Sequence, residues 1–427
     1  MGSDIKRLPC RGGNWNNGAN AGLAAVNLNN SRANTNTNIG FRPAFGSSQK
    51  ATPHGALSSA LSKGCRCLGY RRKTEQAAPV RRAADFKALM YDQIISFDNL
   101  HQAALRCLCG KRTSPAALRY MQRLEEHLHD THNHLLHDSY QPGGYEEFYV
   151  FEPKQRLISA PRFVDRVVHR AIMNVLEPTL DPRFIFDSYA CRKGKGVHAG
   201  ANRAQCWMRA IRQAHGPLFC LKADISKYFA SIDHARLKAI LRRHIHCDRT
   251  LRLLDAIIDS SPGRPGVGIP LGNLTSQLFA NLYLNELDRY AKHDLGIRYY
   301  IRYMDDFVVL HHDKAQLHTW RARIEAYLWN SLRLTTNSKT QVFPVGPEGR
   351  ALDFLGYRIY PTHRLLRKNS IKRIRYKLRR FKRAIAAGRL TAGDCRPCIQ
   401  SWCAHAAHAN TWRLRCSLFN ISSGANR

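Results

Sequence analysis

Tyr299-Tyr300-Ile301-Arg302-Tyr303-Met304-Asp305-Asp306-Phe307-Val308-Val309-Leu310 is the stretch whose reading decides the fold. Two runs rich in aromatic and β-branched residues flank an adjacent pair of carboxylates, a pattern that predicts a β-hairpin with the acids at its tip. Like charges held side by side repel and call for a counterion. Hard Mg²⁺, which prefers carboxylate and phosphate oxygens, answers that call. Taken alone, a paired-aspartate turn is as readily a solvated loop, so the rest of the chain has to decide.

Upstream lies Leu221-Lys222-Ala223-Asp224-Ile225-Ser226-Lys227-Tyr228-Phe229. An apolar strand delivers Asp224 to a sheet edge, and a bulky aromatic pair follows. Two acidic strands side by side, bearing Asp224 and Asp305, can hold two metals about 3.5–4 Å apart, as in-line phosphoryl transfer requires. Between them runs Gly268-Ile269-Pro270-Leu271-Gly272-Asn273-Leu274-Thr275-Ser276-Gln277. This Gly/Pro-rich loop feeds a helix, with Ser276 or Thr275 available as its cap. Such a loop lets backbone approach a nucleotide closely.

Bulk composition points the same way. The 427 residues carry a formal net charge of +36 and a pI near 10.2. So large an excess of one sign repels itself and fits a polyanionic partner, with nucleic acid preferred over a membrane surface. No apolar run approaches the roughly 18 residues needed to span a bilayer. The N-terminus shows neither a signal-peptide nor a myristoylation pattern. The expectation is a cytoplasmic protein without a membrane partner, its 13 cysteines mostly reduced thiols. Cys395, Cys398, Cys403, His405 and His408 have ligand-like spacing. Trp402 and the alanines around them read instead as a helix packed on a neighbour.

Along the chain, residues 1–45 are asparagine-rich and cannot build a core unaided. Residues 46–88 read as a linker. Helical periodicity runs through a segment at 89–144, from Met90 to Leu135. Strand-like runs (148–151, 219–223, 299–303, 307–310) then alternate with helical ones (164–176, 237–244, 278–290, 315–329). This alternation predicts an α+β domain at 145–363. A basic helical segment fills 364–427, with helices over 368–383 and about 399–418.

The order of the Asp224 motif, the Gly-rich loop and Tyr303-Met304-Asp305-Asp306 resembles motifs A, B and C of reverse transcriptases. Lys154-Gln155-Arg156-Leu157-Ile158-Ser159-Ala160-Pro161 resembles their fingers motif, Lys339-Thr340 motif D, and Phe354-Leu355-Gly356-Tyr357 the primer-grip region. The form of the loop from Gly268 to Gln277 is similar to that in reverse transcriptases of diversity-generating retroelements. The resemblance implies a right-hand polymerase: fingers and palm (antiparallel sheet plus helices) at 145–363, and an α-helical thumb at 364–427. It implies an RNA-directed DNA polymerase that copies a template-repeat RNA into cDNA with adenine-selective errors, for mutagenic retrohoming. The implied partners are template RNA, the RNA/cDNA hybrid, dNTPs and a small basic pentameric accessory variability protein. Two Mg²⁺ ions are the implied cofactor.

Carried over residue by residue, the resemblance makes Asp224, Asp305 and Asp306 catalytic and metal-binding, with Ile225 among the metal positions. Lys339 would protonate the pyrophosphate. Arg156 would grip the triphosphate with its planar guanidinium, beside Lys154. Phe229 would exclude a ribose 2′-hydroxyl, while Tyr228 packs in the core. Leu271, Gly272 and Gln277 would line the dNTP site. Leu271 stands where retroviral enzymes carry glutamine; a lost hydrogen bond of about 0.5–1.5 kcal/mol shifts discrimination only roughly threefold to tenfold. Arg192, Lys193 and Lys195 would touch template backbone. Residues 1–45 resemble the variable stretch of the lectin-like proteins such elements diversify, which predicts a template repeat read in frame and an active product from initiation near Met90. The competing readings are a group II intron- or retron-type reverse transcriptase, and a non-catalytic RNA-binding scaffold.

Overall fold

The structure is a computed structural model that describes residues 83–111, 113–151, 155–346 and 349–419. The asparagine-rich segment 1–45 and most of the linker expected at 46–88 lie outside the described residues, as does Lys154.

Among the described residues four helices come first: α1 (Ala83–Ile95), α2 (Phe97–Leu108), α3 (Pro115–Gln122) and α4 (Leu124–Leu136). The first therefore begins inside the stretch read as linker. Short polar residues divide them. Ser96 caps α2 and Ser114 caps α3, each accepting the N–H three residues on, and Pro115 occupies the first turn where its missing N–H costs nothing. Their apolar faces close on α5 (Phe163–Leu180), whose Val167, Val168, Ala171, Ile172 and Leu176 are buried.

Three antiparallel sheets follow. β1 (Tyr145–Val150) and β2 (Arg156–Pro161) form a ribbon. The main sheet has the order β4-β5-β3-β6, from β4 (Tyr300–Tyr303), β5 (Asp306–His311), β3 (Phe219–Asp224) and β6 (Gln341–Pro344). The third is a meander of β7 (Leu352–Phe354), β8 (Tyr357–Ile359) and β9 (Arg364–Leu366). Helix α6 (Val197–His215) packs on β4 and β5, and α11 (Lys314–Leu332) on β3, β5 and β6. Between them in sequence lie α7 (Tyr228–Ser231), α8 (His234–His244), α9 (Asp248–Asp259) and α10 (Leu274–Arg289). Helix α10 is buried nearly all round, with Asn281, Asn285 and Asp288 among its buried residues, and packs against α5, α8 and α11.

One expectation about α10 needs correcting. Thr275 and Ser276 do not cap it. The helix starts after Asn273, which makes no side-chain cap bond, and Thr275 Oγ1 instead meets His169 Nδ1 at 2.7 Å in the core. The expected helix at 399–418 is likewise two helices, α13 (Ala392–Ala407) and α14 (Trp412–Phe419), after the basic α12 (Lys368–Ala386). The break falls where Asn410 exchanges hydrogen bonds with the Arg364 backbone and Thr411 Oγ1 donates to the Ala406 carbonyl.

Candidate active site

The hairpin expected from the opening stretch forms, with Tyr303 paired to Asp306 and only Met304 and Asp305 in the turn. β3 runs antiparallel to β5 in a register that sets Asp224 directly opposite Asp306. Residues paired in this way share a face, so both carboxylates and Lys222 point to the same side. Ile225 N–H donates to the Asp305 carbonyl at 3.2 Å, which joins the turn to the end of β3. Asp224, Asp305 and Asp306, 81 or more positions apart or adjacent in sequence, thereby meet at one sheet end.

Met304 sits at φ +55°, a left-handed conformation costly for a residue with a side chain. Strain of this kind runs to about 1–3 kcal/mol and persists only where surrounding contacts over-determine it.

The charges are unequal. Burial, then the neighbouring Asp224 and Asp306, push the Asp305 carboxyl up to about 7. Asp306 is raised by burial and opposed by Lys222, whose ammonium lies 2.7 Å from Asp306 Oδ1. Burial works against the Lys222 charge, but Asp306 outweighs it and the net shift is upward. The 2.7 Å contact has the geometry of an ion pair.

Asn337 supports the third carboxylate. Its N–H donates to the Asp224 carbonyl at 2.7 Å, and its side-chain amide approaches Asp224 Oδ2 at 3.5 Å. The next loop residues turn on the same side chain, since Lys339 N–H donates to Asn337 Oδ1 while the Lys339 ammonium is exposed.

The Gly-rich loop is built into the site by backbone. Ser159 N–H of β2 donates to the Leu271 carbonyl at 2.9 Å, and Ile269 N–H to the Phe229 carbonyl at 2.8 Å. Gly272 has φ +142°, and a Cβ there would stand 2.4 Å from the Ser159 carbonyl oxygen. No other residue fits. Leu271 and Gln277 are half-buried and Phe229 is buried. Arg156 opens β2, close enough for its charge to lower Asp305.

The three cations expected on template differ from one another. Arg192 is not available: its guanidinium donates to Asp181 Oδ1 at 2.7 Å and to the carbonyls of Ile185 and Ser188 at 2.7 and 3.0 Å. It braces a loop, because a fork of five donors satisfies several buried carbonyls at once. Lys193 is exposed, with Glu177 at 3.4 Å. Lys195 donates to the Phe186 carbonyl at 2.9 Å and lies 3.3 Å from the centre of the Phe186 ring.

Among the described residues, no group of three or more His, Cys, Asp or Glu side chains is arranged to hold a metal ion. The half-buried carboxylates of Asp224 and Asp305, mutually repelling, are nonetheless the hard-oxygen donors that a divalent cation would stabilise. The donor chemistry fits.

Residues 151–359 match the family model described as reverse transcriptase (RNA-dependent DNA polymerase). Protein YkfC of Escherichia coli is 28% identical over 288 residues, 58% of this chain and 73% of that protein. The group II intron-encoded protein LtrA of Lactococcus lactis is 24% identical over 166 residues, 37% of this chain. The chain spans only 27% of LtrA's length. Apo telomerase from Candida tropicalis superposes with a TM-score of 0.43 at 11% identity, over 52% of this chain and 55% of that one. The matched segment contains Asp224, Asp305, Asp306 and the Gly-rich loop, so the chain carries a reverse transcriptase domain with group II intron-encoded relatives.

Proposed function

We propose that the protein is an RNA-directed DNA polymerase of the diversity-generating retroelement type, which copies a template-repeat RNA into cDNA with errors concentrated at template adenines. The observation that carries the polymerase reading is the register of β3 and β5, with Asp224 opposite Asp306 and Asp305 in the turn between β4 and β5. Asp224 and Asp305 would hold two Mg²⁺ ions, beside Asp306 and the Ile225 backbone. Bound there, the metals would activate the primer hydroxyl and neutralise the leaving pyrophosphate.

The chain's own groups supply positioning. Arg156 reaches the triphosphate from β2, whose Ser159 is tied to the Leu271 backbone. Phe229, fixed through its carbonyl to Ile269, bars a ribose 2′-hydroxyl. Asn337 sets the loop from which Lys339 delivers a proton to pyrophosphate. In this reading residues 145–363 are fingers and palm, and the basic helices from Lys368 onward are the thumb against the RNA/cDNA hybrid. The formal charge of +36 suits a polyanion, and a basic pentameric variability protein is the proposed accessory partner.

The mutagenic role rests on the loop Gly268–Gln277, with alkyl Leu271 beside the incoming nucleotide, and on the asparagine-rich segment 1–45. A group II intron-type enzyme without a mutagenic role is the second reading, favoured by the match to LtrA. Primer extension on a defined RNA template, followed by sequencing of the cDNA, separates them. Substitutions clustered at template adenines are expected. Errors spread evenly over the four bases would favour the second reading, and no extension at all would remove both.

A further inference from the structure

Arg302 lies on the opposite face of β4–β5 from Lys222, Asp224 and Asp306, because it pairs with Phe307 and not with a site residue. Its side chain is fully buried and all its donor positions are used. Nε and Nη2 donate to Asp288 Oδ1 and Oδ2 of α10 at 2.7 and 2.6 Å. Nη1 donates to Asn281 Oδ1 of the same helix at 3.2 Å and to the Met304 carbonyl at 3.0 Å. Nη2 also reaches Ser188 Oγ at 3.3 Å, and Tyr300 Oη donates to Asp288 Oδ1 at 2.8 Å. One guanidinium therefore ties the strained turn residue to the helix that continues the Gly-rich loop.

A buried ion pair is a poor stabiliser, since well-packed apolar side chains of equal volume hold a core as well or better. What the fork adds is geometry: planar, bidentate and rigid. Here that geometry is spent on the carbonyl of the residue immediately before Asp305, the one residue of the turn at positive φ. The other turn carbonyl, that of Asp305, is anchored by Ile225 N–H. With both carbonyls fixed, the backbone that carries the Asp305 side chain is held at the end of β3, next to Asp224.

We infer that Arg302 is a positioning residue for the polymerase reaction: clamped by Asp288 and Asn281, it holds Met304 in its left-handed conformation and so aims Asp305 into the carboxylate site. This rests on the proposed metal-binding role of Asp305. It assigns a functional load to a core ion pair two residues from the turn and to two α10 side chains that touch no substrate.

The test compares Arg302→Lys, Met304→Gly and the double variant Arg302→Lys/Met304→Gly in the full chain. Three readouts are taken: kcat and dNTP KM in primer extension, the Mn²⁺ concentration giving half of the metal-induced rise in Tm, and Tm without metal. Arg302→Lys should lower kcat at least tenfold, leave dNTP KM within about twofold, and raise the half-saturating Mn²⁺ several-fold. Glycine adopts positive φ unaided, so Met304→Gly should restore kcat and Mn²⁺ affinity in the double variant at least threefold while leaving its Tm low. If Arg302→Lys does not fold, Asn281→Ala takes its place, with a threefold fall in kcat and rescue by Met304→Gly expected. Loss of Tm with kcat and Mn²⁺ half-saturation unchanged, or a double variant whose losses simply multiply, would overturn the inference. Asp305→Ala separates the two levels: if it keeps full activity and Mn²⁺ response, the metal role fails, whereas the positioning role fails on the rescue alone.

Discussion

The Lys222 ammonium lies 2.7 Å from Asp306 Oδ1, so among the three neighbouring carboxylates Asp306 has its charge countered by a lysine of the same sheet. Asp305→Asn should therefore cost far more activity than Asp306→Asn. Lys222→Met leaves the Asp306 charge largely buried without its partner and should destabilise the fold by about 1.5–3 kcal/mol, the range for a hydrogen bond to a charged group. Asp306→Asn in that background should regain part of the loss. A double-mutant cycle by urea unfolding measures the coupling, and a coupling near zero would mean that the pair does not form.

Asp305 also makes a pH prediction. Its carboxyl is raised to about 7 in the folded protein, chiefly by burial, against an ordinary value of 3.8. Between these values the folded state keeps a proton that the unfolded chain has released. Its contribution to stability is therefore present below about 4 and is lost as pH rises toward 7. Tm of the metal-free wild type should fall over that window more steeply than Tm of Asp305→Asn. Added Mg²⁺ should stabilise the wild type increasingly as pH rises, and leave the variant little changed.

A second titrating cluster joins α6, β8 and α13. Tyr357 Oη lies 2.9 Å from His198 Nδ1 and 3.1 Å from His405 Nδ1, and the His198 and His408 rings stack at 3.7 Å. Burial, then His408, His405 and Arg364, push His198 down to about 3; burial, then His408, pushes His405 down to about 4. His408 is lowered by burial and Arg364, which itself faces Tyr357 and Arg209. The folded protein keeps these rings neutral while the unfolded chain protonates near 6.5, so stability is complete above 6.5 and falls as pH drops toward 4. Hydrogen-exchange protection factors in residues 392–407, corrected for the intrinsic rate at each pH, should fall from pH 7 to pH 5 more than those in β3 and β5. His198→Asn should reduce the difference.

Gly272→Ala tests the loop. A methyl group 2.4 Å from the Ser159 carbonyl at φ +142° must push β2 from the loop or twist the loop from β2. Expected are a destabilisation of about 1–3 kcal/mol and at least a tenfold loss of kcat/KM for dNTP. Gly144→Ala, where a Cβ meets nothing within 4 Å, is the control and should change neither.

How much of this was legible in the chain depends on range. The hairpin at Tyr303–Asp306 and the strand ending at Asp224 could be read because runs of aromatic, β-branched and other apolar residues and a two-residue turn are local signals. Helix ends were less visible. Thr275 and Ser276 are good caps by type, but a core contact to His169, more than a hundred residues away, claims Thr275. Lys222 in a strand looks the same whether it faces water or Asp306, and nothing nearby says that Arg302 points away from the site to Asp288. Arg192 reads as a phosphate contact until its partner Asp181 is seen. Asn337, two residues before Lys339, had a signal of its own: a short amide side chain in a loop is a habitual organiser of neighbouring backbone.

The central claim is that Asp224 and Asp305 form one cation site for nucleotide addition, and single-turnover extension of a DNA primer on an RNA template with Mg²⁺ tests it most directly. The wild type should add dNTPs, and Asp305→Ala should lose at least a thousandfold in rate while keeping its fold by circular dichroism. A folded Asp305→Ala variant that extends primers at the wild-type rate would contradict it.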